Sequence, residues 1–240
     1  MQLLAGTSGF SYKEWKGTFY PKELPDKGML AFYATRLGSV EINNTFYRMP
    51  KPEAVAQWGG QVPDGFRFVL KAPQRITHRE RLENSEDSVR VFLEAAHVLG
   101  DKLGAVLFQL PPFFKKDVPR LSAFLSILPA GLRAAFEFRH PSWYAEDAYD
   151  ALRAKNAALV GGDADDSEKS PPFVVTADFG YLRLRSLEYS ESRLAEWAAQ
   201  IGAAPWKDAF VFLKHEVLGP IYAEQLGGLY AKALSASSRA

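Results

Sequence analysis

The stretch Ala134-Ala135-Phe136-Glu137-Phe138-Arg139 alternates aromatic and charged side chains over its last four positions. Successive side chains of a β-strand point to opposite faces, so the two phenylalanines share one face while Glu137 and Arg139 share the other. The aromatic face can pack against helices, whereas charged groups are rarely held inside a protein unless they are paired or used. The stretch therefore predicts a strand whose carboxyl end contributes to a polar site.

Five other short segments repeat this alternation and carry a charged or amide side chain near their ends. They are residues 40–43, 66–71, 106–110, 182–185 and 210–214. The polar residues at alternate positions, which would share one face, are Glu41, Asn43, Lys71, Gln109, Glu137, Arg139 and Arg183. If the segments are neighbouring strands of one closed sheet, these side chains meet at one end of it.

Short apolar runs alternate with longer amphipathic segments along the chain, which is typical of parallel strands joined by helices. Strands are predicted at residues 3–6, 40–43, 66–71, 105–110, 134–138, 157–161, 181–185 and 210–214. Helices are predicted at residues 27–37, 86–99, 117–128, 145–155, 191–201 and 222–234. Eight strands close a (β/α)8 barrel, so we predict one α/β domain of the TIM-barrel type over residues 1–240, with a doubly wound open sheet as the alternative.

Two neighbouring segments fit the alternation less well. Residues 163–172 are acidic and then rich in serine and proline, which predicts a loop. Residues 173–176 form a second strand-like run before residue 181, so the barrel is expected to be irregular around its sixth and seventh strands.

The composition excludes several classes of protein. At 240 residues, with 47% apolar and 24% charged residues, the chain is globular in type, and its net charge of +1 gives no global reason to expect nucleic acid as a partner. It has no cysteine, which excludes disulfides, iron–sulfur clusters and cysteine-ligated metals. The N-terminus lacks the features of a secretion signal, and no stretch reaches the roughly 20 apolar residues of a membrane span. We therefore expect a soluble cytoplasmic protein without a membrane partner.

The carboxyl ends of barrel strands and the loops after them form the functional site of this fold. The candidate catalytic residues there are Glu41, Glu137 and His140. The candidate substrate-binding residues are Thr7, Asn43, Asn44, Tyr47, Lys71, His78, Gln109, Arg139, Trp143, Asp163 and Arg183. Polar groups among aromatic rings are typical of a pocket for a small polar molecule.

The charged residues admit more than one interpretation. Glu41 and Glu137 could act as a general acid and base, but a structural ion pair between Glu137 and Arg139 fits the pattern equally well. A divalent metal is a further alternative, although no fixed ligand spacing supports it. Its candidate ligands are Glu41, Glu137, His140, Asp163 and His215. No motif identifies another cofactor.

Several blocks of the chain strongly resemble the domain of unknown function 72, also called the YecE-like family. The matching blocks are Gly6-Thr7-Ser8-Gly9-Phe10-Ser11-Tyr12 with Trp15 and Phe19-Tyr20-Pro21, Val40-Glu41-Ile42-Asn43-Asn44-Thr45-Phe46-Tyr47, Phe68-Val69-Leu70-Lys71-Ala72-Pro73 with Ile76-Thr77-His78, Leu107-Phe108-Gln109-Leu110-Pro111-Pro112, and Phe136-Glu137-Phe138-Arg139-His140-Pro141-Ser142-Trp143. They run in order to about residue 145, and weaker matches continue to Leu184.

The resemblance implies a TIM-barrel fold and supplies no function. The chain also departs from the family pattern at two strand ends. After Arg183 the family usually continues with a His-Gly pair, whereas this chain has Arg185-Ser186. The last strand usually ends in paired asparagines, whereas here it ends in Lys214-His215. These departures indicate that the far side of the pocket differs from the family pattern.

The leading functional hypothesis is an enzyme that acts on a small, polar, anionic substrate. Lys71, Arg139 and Arg183 would hold a carboxylate or phosphate, and a glutamate beside them would move a proton. Isomerase, lyase and hydrolase chemistry all fit this arrangement. One alternative is a metal-dependent nuclease or nucleic-acid-processing barrel, and another is a barrel that binds a ligand without catalysis.

Overall fold

The computed structural model describes residues 1–164 and 170–237. Its strands are β1 (Gln2–Ser8), β2 (Ser39–Ile42), β3 (Arg67–Lys71), β4 (Leu103–Gln109), β5 (Ala134–Glu137), β6 (Ala158–Gly162), β7 (Phe179–Leu184) and β8 (Asp208–Leu213). Each strand pairs in parallel with the next along the chain, and β8 pairs with β1. The prediction of a closed (β/α)8 barrel is therefore confirmed.

Helices follow the strands and form the outer layer. They are α1 (Met29–Arg36), α2 (Asn44–Tyr47), α3 (Pro52–Gly59), α4 (Glu86–Ala96), α5 (Val118–Ile127), α6 (Glu146–Arg153), α7 (Glu191–Ala203) and α8 (Gly219–Ser237). The sequence predicted six of these and missed α2 and α3, together with a π-helical turn over Arg75–Arg79. No described helix has both the length and the apolarity needed to cross a membrane.

The irregularity expected before the seventh strand is present, but residues 173–176 do not form a strand. The hydroxyl of Thr176 instead accepts from the Leu159 amide at 2.8 Å and donates to the Ala157 carbonyl at 2.7 Å. This segment therefore runs alongside β6 without joining the sheet. The centre of the predicted loop 163–172, residues 165–169, lies outside the described residues.

Apolar side chains pack on both the outer and the inner face of the barrel wall. Outside, Phe136 stacks on Phe108 with 5.2 Å between ring centroids, and Phe138 stacks on Trp143 at 4.4 Å. Inside, a second cluster occupies the opposite parity. Its members include Leu4, Val69, Leu107, Ala135, Val160, Phe179, Tyr181, Phe210 and Phe212. Because alternate residues face inward, the strands other than β6, whose last inward position is Gly162, direct a polar or charged side chain into the barrel at or just after their carboxyl ends.

We expect Gly6→Ala to lower the free energy of unfolding by about 2–3 kcal/mol, because a core substitution without room forces the backbone to move. A Cβ atom at Gly6 would lie 2.0 Å from the carbonyl oxygen of Ser39 in the neighbouring strand. Gly65→Ala is the control, because a Cβ there meets nothing within 4 Å. Urea unfolding measures both variants, and equal midpoints would contradict the tight approach of β1 to β2.

Candidate active site

Arg183 lies at the centre of the polar groups inside the carboxyl end of the barrel. Its Nη1 donates to Glu137 Oε2 at 2.6 Å, and its Nη2 donates to Glu41 Oε1 at 2.8 Å. The three side chains come from β7, β5 and β2, and each is at most 4% exposed. One guanidinium therefore joins two buried carboxylates on opposite sides of the barrel.

Glu41 accepts hydrogen bonds from three further side chains. The donors are Ser8 Oγ at 2.8 Å, Tyr181 OH at 2.6 Å and Asn43 Nδ2 at 3.0 Å. Burial alone would raise the pKa of Glu41, but Arg183 and these donors hold it below its usual value. Glu41 is therefore ionised at neutral pH.

Glu137 is surrounded by cationic and amide donors. Gln109 Nε2 donates to it at 2.6 Å, Arg185 forms a close ion pair with it, and Arg139 Nε lies 3.5 Å from its Oε1. Burial would raise the pKa of this carboxyl, but Arg183, Arg185 and Arg139 hold it far below its usual value. A carboxylate in this environment stays ionised and is a poor proton donor.

Lys71 differs from the arginines because no carboxylate lies within 4.0 Å of its ammonium in the described part of the chain. Its Nζ donates to Gln109 Oε1 at 2.9 Å and lies 4.0 Å from the centroid of the Phe46 ring. Burial and the nearby Arg183 lower the pKa of Lys71 to about 8, although Glu137 and Glu41 oppose the shift. Lys71 therefore holds a proton that it can release near neutral pH.

Further cations line the opening of the barrel. Burial and the neighbouring arginines lower the pKa of Lys214. Together with the groups above, it completes a set that we call the mouth cluster. The mouth cluster comprises Glu41, Lys71, Glu137, Arg139, Arg183, Arg185 and Lys214.

Arg185 separates two cavities at this opening. One, of about 460 Å³, is lined by Glu137, Arg139 and Tyr144, and the other, of about 510 Å³, by Tyr12 and Lys214. The Nε atoms of Arg185 and Arg183 are buried and have no hydrogen-bond partner among the described residues. Two guanidinium donors are thus left without an acceptor from the described residues.

A cavity of about 550 Å³ lies at the other end of the barrel, among the amino-terminal ends of the strands. Its two arginines are bonded within the protein. Arg133 Nη2 lies 2.6 Å from Asp208 Oδ2, and Arg67 Nη1 donates to the Asp64 carbonyl at 2.7 Å. The carboxyl end is the end that carries chemistry in this fold, so the mouth cluster is the candidate active site.

The structure brings most of the predicted side chains to the mouth. Those that contact or join the mouth cluster are Glu41, Asn43, Lys71, Gln109, Glu137, Arg139 and Arg183. His78 lies beside them on the π-helical turn, where its ring meets Phe46 at 4.9 Å. Burial and the nearby Lys71 lower the pKa of His78, so it is neutral at pH 7.

Three other predicted substrate-binding residues bond mainly outside the barrel interior, although Thr7 lines the cavity beside Lys214 and Asp163 Oδ1 accepts from the Arg185 amide at 2.8 Å. Thr7 points outward and contacts Tyr33 OH at 2.9 Å, while the Trp143 indole donates to the Phe114 carbonyl at 2.7 Å inside the helix layer. Asp163 accepts from Tyr189 OH at 2.6 Å and from Trp197 Nε1 at 3.1 Å. These partners make the three side chains part of the packing between barrel and helices. Asn44 and Tyr47 are exposed on α2, at the rim.

The two histidines that follow strand ends contact backbone amides. His140 Nδ1 lies 3.2 Å from the Ser142 amide, and His215 Nδ1 accepts from the Leu218 amide at 2.8 Å. Neither belongs to a metal-ligand set, because residues 1–164 and 170–237 contain no group of three His, Asp or Glu side chains that could hold a metal. The five candidate metal ligands are therefore not brought together within the described residues, and the catalytic role of His140 stays a prediction.

The sequence reasoning missed Ser8, Tyr181, Arg185 and Lys214 as site residues. All four follow the inward parity of their strands. Ser8 shares it with Leu4, and Tyr181 stands two residues before Arg183. Arg185 and Lys214 continue the parity of β7 and β8 one residue beyond the last residue of each strand. Applying the alternation rule to every strand and to the residue after it would have found these four.

The sequence profile described as "Protein of unknown function DUF72" matches residues 4–237. The chain belongs to the DUF72 family. A crystal structure of a DUF72 family protein from Thermotoga maritima superposes with a TM-score of 0.79, at 26% identity, over 98% of this chain and 100% of the other. A second DUF72 structure, from Enterococcus faecalis, gives a TM-score of 0.75 at 24% identity over 98% of each chain and supports the fold alone.

Curated DUF72 relatives match over shorter regions. The UPF0759 protein YecE of Escherichia coli (strain K12) is 38% identical over 115 residues, which are 48% of this chain and 42% of YecE. The UPF0759 protein YunF of Bacillus subtilis (strain 168) is 28% identical over 141 residues, 55% of this chain and 50% of YunF. The chain thus spans about half the length of the curated relatives it matches.

We expect wild-type stability to fall as the pH is lowered from 5 to 3. The folded-state pKa of Glu137 lies below its ordinary value of 4.5, so its contribution is present above that pH and is lost below it. Glu137→Gln should reduce this acid-dependent loss by roughly 1–2 kcal/mol. Urea midpoints at several pH values measure it. Glu53→Gln on exposed α3 is the control, and equal pH slopes for the two variants would contradict the ionised state of Glu137.

We expect Arg183→Met to cost about 3–5 kcal/mol of folding free energy, because it leaves two buried carboxylates without their shared cation. Arg90→Met is the matched control, since the Arg90 side chain is 60% exposed on α4 and pairs with Asp87 and Glu94 at the surface. Urea unfolding at pH 7 compares them. A midpoint for Arg183→Met close to that of Arg90→Met would show that Arg183 does not neutralise the site.

Proposed function

We propose that this chain is an enzyme that acts on a small anionic molecule bound at the mouth cluster. The observation that carries the proposal is the excess of positive charge. Within the described residues, the mouth cluster has two carboxylates against five cationic side chains, which leaves three positive charges when both lysines are protonated. Arg139 and Lys214 are exposed and Arg185 is half-buried, so this excess gives the opening of the barrel a positive potential that attracts an anion.

The unpartnered donors support the same conclusion. Arg183 and Arg185 each present a buried Nε to which no described acceptor is bonded. A carboxylate or phosphate oxygen accepts well from guanidinium groups, and Arg185 lines both cavities, so an anion in either one would find a guanidinium beside it. Arg185 and Lys214 also stand where the chain departs from the family pattern, which favours a substrate particular to this chain and its nearest relatives.

The proton-transfer role is better suited to Lys71 than to a glutamate. Glu41 and Glu137 are held ionised by their donors, and they orient Arg183 and its neighbours. A general acid or base is most effective when its pKa lies near the working pH, which describes Lys71. His78, neutral and close to the same ring, is a second proton acceptor.

The two alternatives lack an observation of comparable weight. A metal-dependent nuclease would need converging ligands, whereas Glu41 and Glu137 are both occupied by Arg183. A barrel that binds an anion without catalysis would use the same cations, and only turnover separates it from an enzyme. We therefore retain a small anionic molecule as the partner, in preference to nucleic acid.

We expect anionic metabolites to raise the melting temperature more than uncharged analogues of the same size. Glycerol 3-phosphate against glycerol, and succinate against butane-1,4-diol, are suitable pairs for thermal-shift measurements. Lys214→Met should weaken binding of the anions about 5- to 20-fold, because it removes one charge-assisted contact. Lys51→Met, which changes an exposed lysine outside the mouth cluster, should not.

Compounds that bind are then incubated with the wild type and with Lys71→Met, and conversion is followed by mass spectrometry. Conversion by the wild type alone supports the enzyme. Equal shifts for charged and uncharged compounds would end the anion proposal, and binding without conversion would favour the non-catalytic barrel.

A further inference from the structure

The side chain of Lys71 is buried without a countercharge, which is uncommon for lysine. The residue is 8% exposed, and its Nζ is contacted by an amide oxygen and an aromatic ring. Burying an unpaired ammonium costs far more than burying a neutral amine. Burial therefore lowers the pKa of Lys71 to about 8, so a larger fraction of its amine is neutral at pH 7 than in an ordinary lysine.

Charged and titratable groups face Lys71 from several elements. They are Glu41 from β2, His78 from the π-helical turn, Glu137 from β5, Arg139 after β5, and Arg183 from β7. Arg183 bonds directly to both carboxylates, and its positive charge weakens their attraction for the ammonium of Lys71. The balance of burial and arginine repulsion against the two glutamates favours release of the lysine proton.

We infer that Lys71 is a nucleophile that forms an imine with a small aldehyde or ketone carrying an anionic group. The inference rests on the proposed function, because the cations of the mouth cluster would hold the anionic end of the same molecule. It goes further by naming the substrate class, an anionic carbonyl compound such as an oxo acid or a phosphorylated aldehyde.

The step balances without a further reactant. The neutral Nζ of Lys71 attacks the carbonyl carbon, a C–N bond forms, and the C=O electron pair moves to oxygen. Loss of water then breaks the C–O bond, and Nζ supplies both hydrogens of the departing water. The product is an imine, which on protonation withdraws electrons from the adjacent carbon.

The cations at the mouth account for the anionic group. Arg139, Arg185 and Lys214 line the cavities on the two sides of the cluster, while Lys71 lies deeper, at the end of β3. A two-ended molecule whose carbonyl reaches the exposed 8% of Lys71 would place its charge toward the outer cations. Lysine activation by burial and by neighbouring cations is an established route to imine catalysis.

Reductive trapping tests the inference on the intact wild-type protein. Glyoxylate and glycolaldehyde are two-carbon aldehydes that differ in whether the second carbon is a carboxylate. Each is added at pH 7 with sodium cyanoborohydride, which converts an imine into a stable secondary amine. Peptide mapping then compares labelling of Lys71 with that of the exposed residues Lys51 and Lys155.

We expect glyoxylate to label Lys71 at least about tenfold faster than either exposed lysine, because more of its amine is neutral at pH 7. Glycolaldehyde should show a smaller preference for Lys71. Lys214→Met should slow the labelling of Lys71 by glyoxylate about fivefold and should slow that by glycolaldehyde by a smaller factor. Lys71→Met should leave only the background labelling of exposed lysines.

Labelling of Lys71 no faster than Lys51 and Lys155 would overturn the inference, whatever the variants do. Equal labelling of Lys71 by the two probes would overturn the part that concerns the anionic group. Thermal shifts with glycerol 3-phosphate, which has no carbonyl, report on the anion site separately. A rise in melting temperature without preferential labelling of Lys71 refutes the nucleophilic role of Lys71 and keeps the proposed function. Preferential labelling of Lys71 by both aldehydes without a rise in melting temperature refutes the proposed function.

Discussion

The two ion pairs that Arg183 forms with Glu41 and Glu137 are the interaction on which the site depends. It joins β7 to β2 and β5 across the interior of the barrel, so side chains distant in sequence share one charge balance. Because both carboxylates are compensated there, the remaining cations at the mouth carry an uncompensated charge. The same two ion pairs fix the position of the Arg183 guanidinium. They also explain why the buried glutamates can stay ionised.

Alternation of apolar and polar residues carried most of the prediction. It located the eight strands within a few residues, and it assigned Glu41, Lys71, Glu137 and Arg183 to one interior. It could not assign partners, because Glu41 and Arg183 lie 142 residues apart and their contact depends on the closure of the barrel. The alternative of a structural ion pair between Glu137 and Arg139 was therefore incomplete: Arg183 and Arg185 bond to Glu137 more closely.

A residue's position in the loop after a strand predicted its place in the site less well than the alternation of residues within the strand did. Asp163 follows Gly162, an inward position, and so turns toward α7, where it meets Trp197. Trp143 lies in a short turn beyond β5, and local sequence does not reveal that its ring stacks on Phe138. Residues 173–176 have the composition of a strand, yet Thr176 satisfies the backbone of β6 by its hydroxyl, which sequence patterns do not encode.

Gln109 bonds at both ends, accepting from Lys71 through Oε1 and donating to Glu137 through Nε2. A neutral amide is the side chain that can serve both neighbours, since a carboxylate here would attract the lysine and repel the glutamate. Gln109 thus lies between the ammonium of Lys71 and the carboxylate of Glu137 and keeps them from forming a direct ion pair. Exchange of a single NH2 for oxygen, as in Gln109→Glu, would create an ordinary salt bridge and hold the lysine in its inert, protonated form. The reactivity of the amine is accordingly governed by a neighbour that takes no part in any chemistry itself.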